Sequence, residues 1–251
     1  MRSTVRLLLF AVATCTAVAT AVGCASTPDP PPPDLGEAME RTASRIQSLD
    51  FNEQLIENDL ERLGELKSDL DLLIERIAVS ELPLSLLRLV AMNCLNAEYD
   101  GHVTDVTGID GVPLSCRPAH IDALMTSLEN VSTVDRDDAY QLLYLVDQAR
   151  ILRGGLRQRV ARLPRAAAEH RDYLADERAS LRHVEAELQQ RRNQYSSSGW
   201  QKANGVIEDY RTLLHELDRR IDAIVEIYPQ WPARLDRTIS EIYFGLSDLR
   251  R

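Results

Sequence analysis

Cys94 and Cys116 stand on either side of a segment rich in Gly, Asp, Val and Thr. Two histidines, His102 and His120, and three aspartates, Asp100, Asp105 and Asp110, fall in or beside it. Two thiols in an oxidising compartment form a disulfide, whereas two thiols with two imidazoles are the donor set of a zinc centre. The spacing here matches no zinc motif. The aspartates recur every five residues, not at the alternating positions, followed by Gly and a twelfth-position Glu, that a calcium loop requires. Asp-Gly at 100–101 and at 110–111 reads instead as turns. The sequence therefore predicts a Cys94–Cys116 disulfide, worth roughly 3 kcal/mol on the chain-entropy scale, with no metal and no cofactor.

Two other groups have residue types suited to chemistry. Arg150, Arg153, Arg157, Arg159, Arg162 and Arg165 occupy a stretch without an acid, while residues 37–79 hold eleven acids against five bases. At 100° per residue these arginines spread around a helix, so they form no single phosphate-reading stripe. Pairing with an acidic helix of the same chain is the first reading, and an external anion such as lipid phosphate or cell-wall polymer is the second. His170 and Glu177 lie two helical turns apart on an apolar seam, where polar groups either set register or do acid–base work. The sequence contains no G-x-S-x-G, no Gly-rich phosphate loop and no H-E-x-x-H, since His215-Glu216 lacks the second histidine. The run Ser196–Ser198 reads as a helix break, and Trp200 and Trp231 as packing at helix starts. No catalytic residues are assigned, and the chain is not expected to be an enzyme.

What positions these groups begins with the N-terminus. Residues 1–6 carry Arg2 and Arg6 and no acid, and residues 7–22 form an uncharged apolar run too short for a comfortable transmembrane span. The run ends in Ala21-Val22-Gly23-Cys24, which resembles the lipobox of bacterial lipoprotein precursors. The resemblance implies that Cys24 receives diacylglycerol and becomes the mature N-terminus. Ala25 after it, in place of Asp, implies sorting to an outer membrane in a Gram-negative host. An ordinary secretory cut after Ala19-Thr20-Ala21 is the competing reading. Pro28 and Pro30–Pro33 follow as an extended spacer of about 3.1 Å per residue, suited to a tether.

Beyond the spacer the chain reads as long helices. A four-three spacing through Met39, Thr42, Ile46, Leu49, Glu53, Ile56, Leu60, Leu63, Lys67, Leu70, Ile74 and Ile77 predicts a helix over 37–79. A second seam runs from Leu142 to Leu188, with Thr133 as its expected N-cap and a kink near 160, where Gly154-Gly155 and Pro164 coincide with a stutter in the repeat. Further seams run from Ala203 to Tyr228 and from Leu235 to Leu249. Ser80 is expected to cap a short helix ending at Leu95, and Ile121–Leu128 to form another. The predicted fold is all-α: an elongated antiparallel bundle or coiled coil with one disulfide-bracketed loop. The segments are a signal peptide at 1–23, a lipid-anchored Pro-rich linker at 24–36, and a helical domain at 37–251 with an ordered loop at 96–118 and a short hairpin within it.

Composition narrows the function classes. Eleven Gly and three Phe, with five of the eleven Pro inside 28–33, argue against a β-sandwich or a Gly-rich nucleotide-binding sheet. A net charge of −10 argues against a nucleic-acid binder. The reading that fits is a lipid-anchored scaffold or interaction protein of the cell envelope, facing the periplasm. Its expected partners are the membrane and other envelope proteins, with homo-oligomerisation through the seams as a further possibility. The alternatives are a carrier of an envelope ligand, using the loop or a bundle cavity, and, more remotely, an envelope hydrolase.

Overall fold

An apolar side chain every third or fourth residue leaves a helix with one stripe that water cannot satisfy, and long stripes demand long partners. The computed structural model describes residues 28–97, 107–108, 112–113 and 121–249. Its elements are α1 (Gly36–Ile77), α2 (Leu84–Asn96), β1 (Thr107–Gly108), β2 (Val112–Pro113), α3 (Ile121–Leu128), α4 (Thr133–Gln190), a 3₁₀ turn (Arg192–Gln194), α5 (Ser197–Ile227) and α6 (Gln230–Ser247). Among the described residues the fold is all-helical apart from a two-residue antiparallel ladder pairing Thr107 with Pro113 and Gly108 with Val112. At 1.5 Å per residue, α1 is about 63 Å long and α4 about 87 Å.

Contacts along these helices fix their directions. Going up α1, Thr42, Arg45, Asp59 and Arg76 meet Tyr173, His170, Arg159 and Asp138 of α4, so the two helices run antiparallel. Going down α4, Glu185, Arg178 and Arg171 meet Arg211, Asp218 and Asp222 of α5, and Arg157 then meets Asp236 of α6. Helices α5 and α6 therefore form one broken path beside α4, parallel to α1, interrupted at Tyr228-Pro229. Pro232 sits in the first turn of α6, where its missing N–H costs no helical bond.

The seams are where the core lies. Leu49, Ile56, Leu63, Leu70 and Ile77 of α1, Leu156, Leu163, Leu174 and Leu181 of α4, Ile207, Leu214 and Ile221 of α5, and Leu235 and Ile242 of α6 are all buried within the one chain. Helix α4 is continuous through Gly155 and Pro164, one element as the sequence implied. At the end of α1 remote from residue 36, helix α2 packs against α4 and α3 packs against α2, adding Leu87, Val90, Leu95, Leu124 and Leu128 to the core.

Two caps differ from expectation. Ser132, not Thr133, is the N-cap of α4, accepting from Asp135 N at 3.1 Å. The hydroxyl of Ser80 donates to Ile77 O at 2.7 Å and accepts from Leu82 N at 3.3 Å, so it closes the turn leaving α1 and does not start α2. Helix α2 begins after Pro83, whose ring fixes the backbone at its entry and whose carbonyl accepts from Leu87 N at 3.0 Å.

Candidate functional site

A polar layer crosses the α1–α4–α5 interface where the seams carry Thr42, His170 and Glu177. Thr42 is fully buried, its hydroxyl 2.9 Å from the Tyr173 hydroxyl. Tyr210 of α5, 1% exposed, donates its phenol to Glu177 Oε2 at 2.7 Å, and Arg41 Nη2 lies 3.5 Å from Glu177 Oε1. Arg45 stacks its guanidinium 4.0 Å from the Tyr173 ring centroid, and its Nη1 is 3.1 Å from His170 Nδ1. Burial, with the Glu177 carboxylate beside it, pushes the Tyr210 phenol well above its ordinary range, so it serves as a neutral donor. Burial, then the Arg45 charge, pushes His170 down, so its Nδ1 is an acceptor at neutral pH. Every polar group here has a partner from another helix. The arrangement can fix the mutual register of three helices.

The basic stretch of α4 divides among several partners. Arg150 is buried and donates through Nε to Asp147 Oδ1 at 2.9 Å. Arg153 donates to Ala97 O at 3.3 Å, and burial, followed by the neighbouring Arg157 and Arg150 charges, lowers its pKa. Arg157 reaches Asp236 of α6, Arg165 pairs within α4 to Glu169, and Arg159 reaches Asp59 of α1. The acids of α1 are met mainly from α5 and α6: Arg220 bridges Asp50 and Glu53, and Arg234 and the Trp231 indole N–H converge on Glu57. Burial raises the Glu57 carboxyl, but the bonds from Trp231 and Arg234 outweigh it and hold the group below its ordinary range. Pairing of acidic α1 with a basic partner thus holds, with most of the partner on helices other than the expected one.

Cys94 lies buried in α2 with its Sγ 3.9 Å from Asp147 Oδ1, next to the Asp147–Arg150 pair. Cys116, His102, His120, Asp100, Asp105 and Asp110 lie outside the described residues, as does Cys24. Among the described residues no three His, Cys, Asp or Glu side chains gather as a metal site.

The described surface carries several grooves. One of about 490 Å³ between α4 and α5 is lined by Arg178, Arg182, Glu185, Arg211 and His215 above Leu181 and Leu214. It continues into a second of about 350 Å³ toward Gln189 and Asn204. An apolar recess of about 140 Å³ beside Pro164 is floored by Leu163, Ala167 and Ile224, well below the several hundred Å³ that small-molecule sites occupy.

Sequence reasoning missed a contact between the proline-rich segment and the α4–α5 turn. Asp29 accepts from both the backbone N and the hydroxyl of Ser196, each at 2.6 Å, and Tyr195 donates its phenol to Pro31 O at 3.1 Å. Ser196 in turn accepts from Gly199 N at 3.1 Å as the N-cap of α5. The serine run therefore starts a helix as well as separating two. The capping pattern Ser-x-x-Gly carried that signal, but nothing local marked Asp29 as its partner. From Asp29 onward the spacer is docked on the helices, not free.

Comparison of the chain with family models, with curated proteins and with solved structures finds no match.

Proposed function

We propose that the chain is a lipid-anchored, non-catalytic helical scaffold of a bacterial cell envelope. Cys24 bears the lipid, the protein sits in the outer membrane facing the periplasm, and its helices form an elongated antiparallel bundle. The observation that carries this reading is the placement of the two ends. The chain enters at the α4–α5 turn through Asp29, and about 63 Å of α1 leads from there to the end built by α2, α3 and the start of α4. Exposed large apolar side chains collect near that far end: Leu72 (68%), Val79 (79%), Val134 (70%) and Phe244 (71%). Apolar side chains held that far from an anchor suit the docking of another envelope protein. Cys94, at the C-terminal end of α2, belongs to the same end, and we propose a Cys94–Cys116 bond there.

Acyl labelling with intact mass measurement tests the anchor: Cys24→Ala removes the acyl mass and releases the protein from membranes. Photo-crosslinkers at positions 79 and 244, with one at the mid-rod Phe51 as reference, test the docking end. Adducts with other envelope proteins are expected from 79 and 244 only. Adducts of twice the chain's own mass would identify a second copy as the partner. Equal labelling from position 51 would overturn the assignment.

A further inference from the structure

We propose that the α4–α5 turn is a second membrane contact, a cationic and aromatic foot that rests on anionic phospholipid headgroups of the bilayer holding the N-terminus. The orientation rests on the lipid-anchor reading above. The foot itself rests on the following geometry.

Asp29 is fixed to Ser196, and four residues separate it from Cys24, so five Cα–Cα steps put a lipid on Cys24 within about 18 Å of the turn. Whatever that segment's conformation, the end of the protein nearest the bilayer is this turn. Residues 188–207 contain Arg191, Arg192 and Lys202 and no acid, in a chain of net charge −10. All three cations are exposed. None forms a salt bridge with a described carboxylate, although Lys202 lies near enough to the docked Asp29 carboxylate to act on it, whereas Arg178 and Arg211 farther up the same groove are already paired. Arg192 stacks 4.5 Å from the Trp200 ring centroid, and Tyr195 meets that ring edge-on at 6.3 Å. Trp200 and Tyr195 are half-buried and pack against the hydrophobic core, the kind of partly covered ring that suits a membrane interface.

The opposite end carries the opposite sign. Glu129, Asp135 and Asp137 gather where α4 begins, with Arg136 the one cation among residues 129–138, while Asp138 beside them is taken up by Arg76 of α1. A negatively charged surface therefore attracts the foot within about a Debye length, roughly 8–10 Å, and resists the far end only when the molecule tips down onto it.

The test uses the mature-length chain, residues 24–251 with Cys24→Ser, which keeps every contact described above and carries no acyl chain. Its outcome is therefore independent of whether Cys24 is lipidated, and the mass measurement above judges that question alone. Sedimentation with phosphatidylcholine vesicles, with and without phosphatidylglycerol, should show binding to the anionic vesicles only. Brominated lipid should quench the fluorescence of Trp200, since Trp231 is fully buried. The triple variant Arg191→Gln, Arg192→Gln, Lys202→Gln should weaken partitioning about a hundredfold, at roughly fivefold per cation. The control Arg62→Gln, Arg165→Gln, Arg237→Gln removes the same charge elsewhere and should leave most of the binding. Equal losses in the two triple variants, or no quenching, would overturn the proposal. Displacement from vesicles by inorganic phosphate at matched ionic strength would overturn it too, marking the turn as a free-anion site.

Discussion

Tyr210 and Glu177 are joined at 2.7 Å across the α4–α5 interface, and the tyrosine that makes this bond is 1% exposed. A phenol so placed needs the carboxylate as much as the carboxylate needs the phenol. Tyr210→Phe should cost roughly 1.5–3 kcal/mol, the range for a hydrogen bond to a charged acceptor. The same bond sets a pH response. The phenol's folded pKa is raised above the unfolded value near 10, so its contribution is complete below pH 10 and is lost as the pH rises above it. Urea melts at pH 8 and above pH 10 should show wild type losing its advantage over Tyr210→Phe on the alkaline side. An unchanged difference would mean that the bond is not formed.

His170 responds at the other end of the scale. Burial and the Arg45 guanidinium lower its pKa in the folded state, so the protein prefers the neutral ring. Its contribution is present above the unfolded value near 6.5 and is lost as the pH falls below it, because protonation also destroys the Nδ1 acceptor facing Arg45. His170→Gln should flatten the fall in melting temperature below pH 6.5. If His170→Gln and wild type keep a constant offset from pH 8 to pH 5, the ring is not held neutral.

Two arginines seven residues apart should behave oppositely. Arg150 and Asp147 have side chains 5% and 1% exposed, whereas Arg157 and Asp236 are 58% and 65% exposed. Arg150→Met removes the cation from a buried ion pair and should cost about 3–5 kcal/mol. Arg157→Met removes an exposed pair and should cost less than about 1 kcal/mol. Chemical denaturation of both variants decides it, and comparable losses would show that the basic stretch acts as a unit.

These contrasts mark what the sequence disclosed. The seam residues Leu49, Ile56, Leu63 and Leu70 were legible because a 3.6-residue repeat states which side of a helix must be dry, whatever covers it. The partner was not legible. The acids of α1 suited the arginines of 150–165 equally well on charge, yet Arg220 and Arg234 take Asp50, Glu53 and Glu57 while Arg159 takes Asp59, because α5 and α6 run beside α1 for much of its length. Charge sign alone does not choose between two basic neighbours. The polar seam positions Thr42, His170 and Glu177 were visible. Their completion by Tyr173, Tyr210 and Arg45 was not, since those side chains come together only once the three-helix register is set. Asp29 had no local signature at all, because its partner Ser196 is 167 residues away.

Glycines make the last test, because their surroundings differ sharply. A methyl group built on Gly64 or Gly205, inside α1 and α5, meets nothing within 4 Å. Gly64→Ala and Gly205→Ala should therefore each stabilise by about 1 kcal/mol through helix propensity alone. A methyl on Gly199, in the first turn of α5, would overlap the Asp29 carboxylate where it caps Ser196. Gly199→Ala should keep the helix, whose N-cap bond from Gly199 N to Ser196 survives, while prising the proline-rich segment off the α4–α5 turn. Limited proteolysis near residues 28–35 with circular dichroism separates the two effects. Gly199→Ala should be cut much faster at undiminished helix content, and Gly64→Ala should be cut no faster than wild type. Equal protection in Gly199→Ala would mean that Asp29 does not fasten the segment, and the membrane-proximal placement of the turn would go with it.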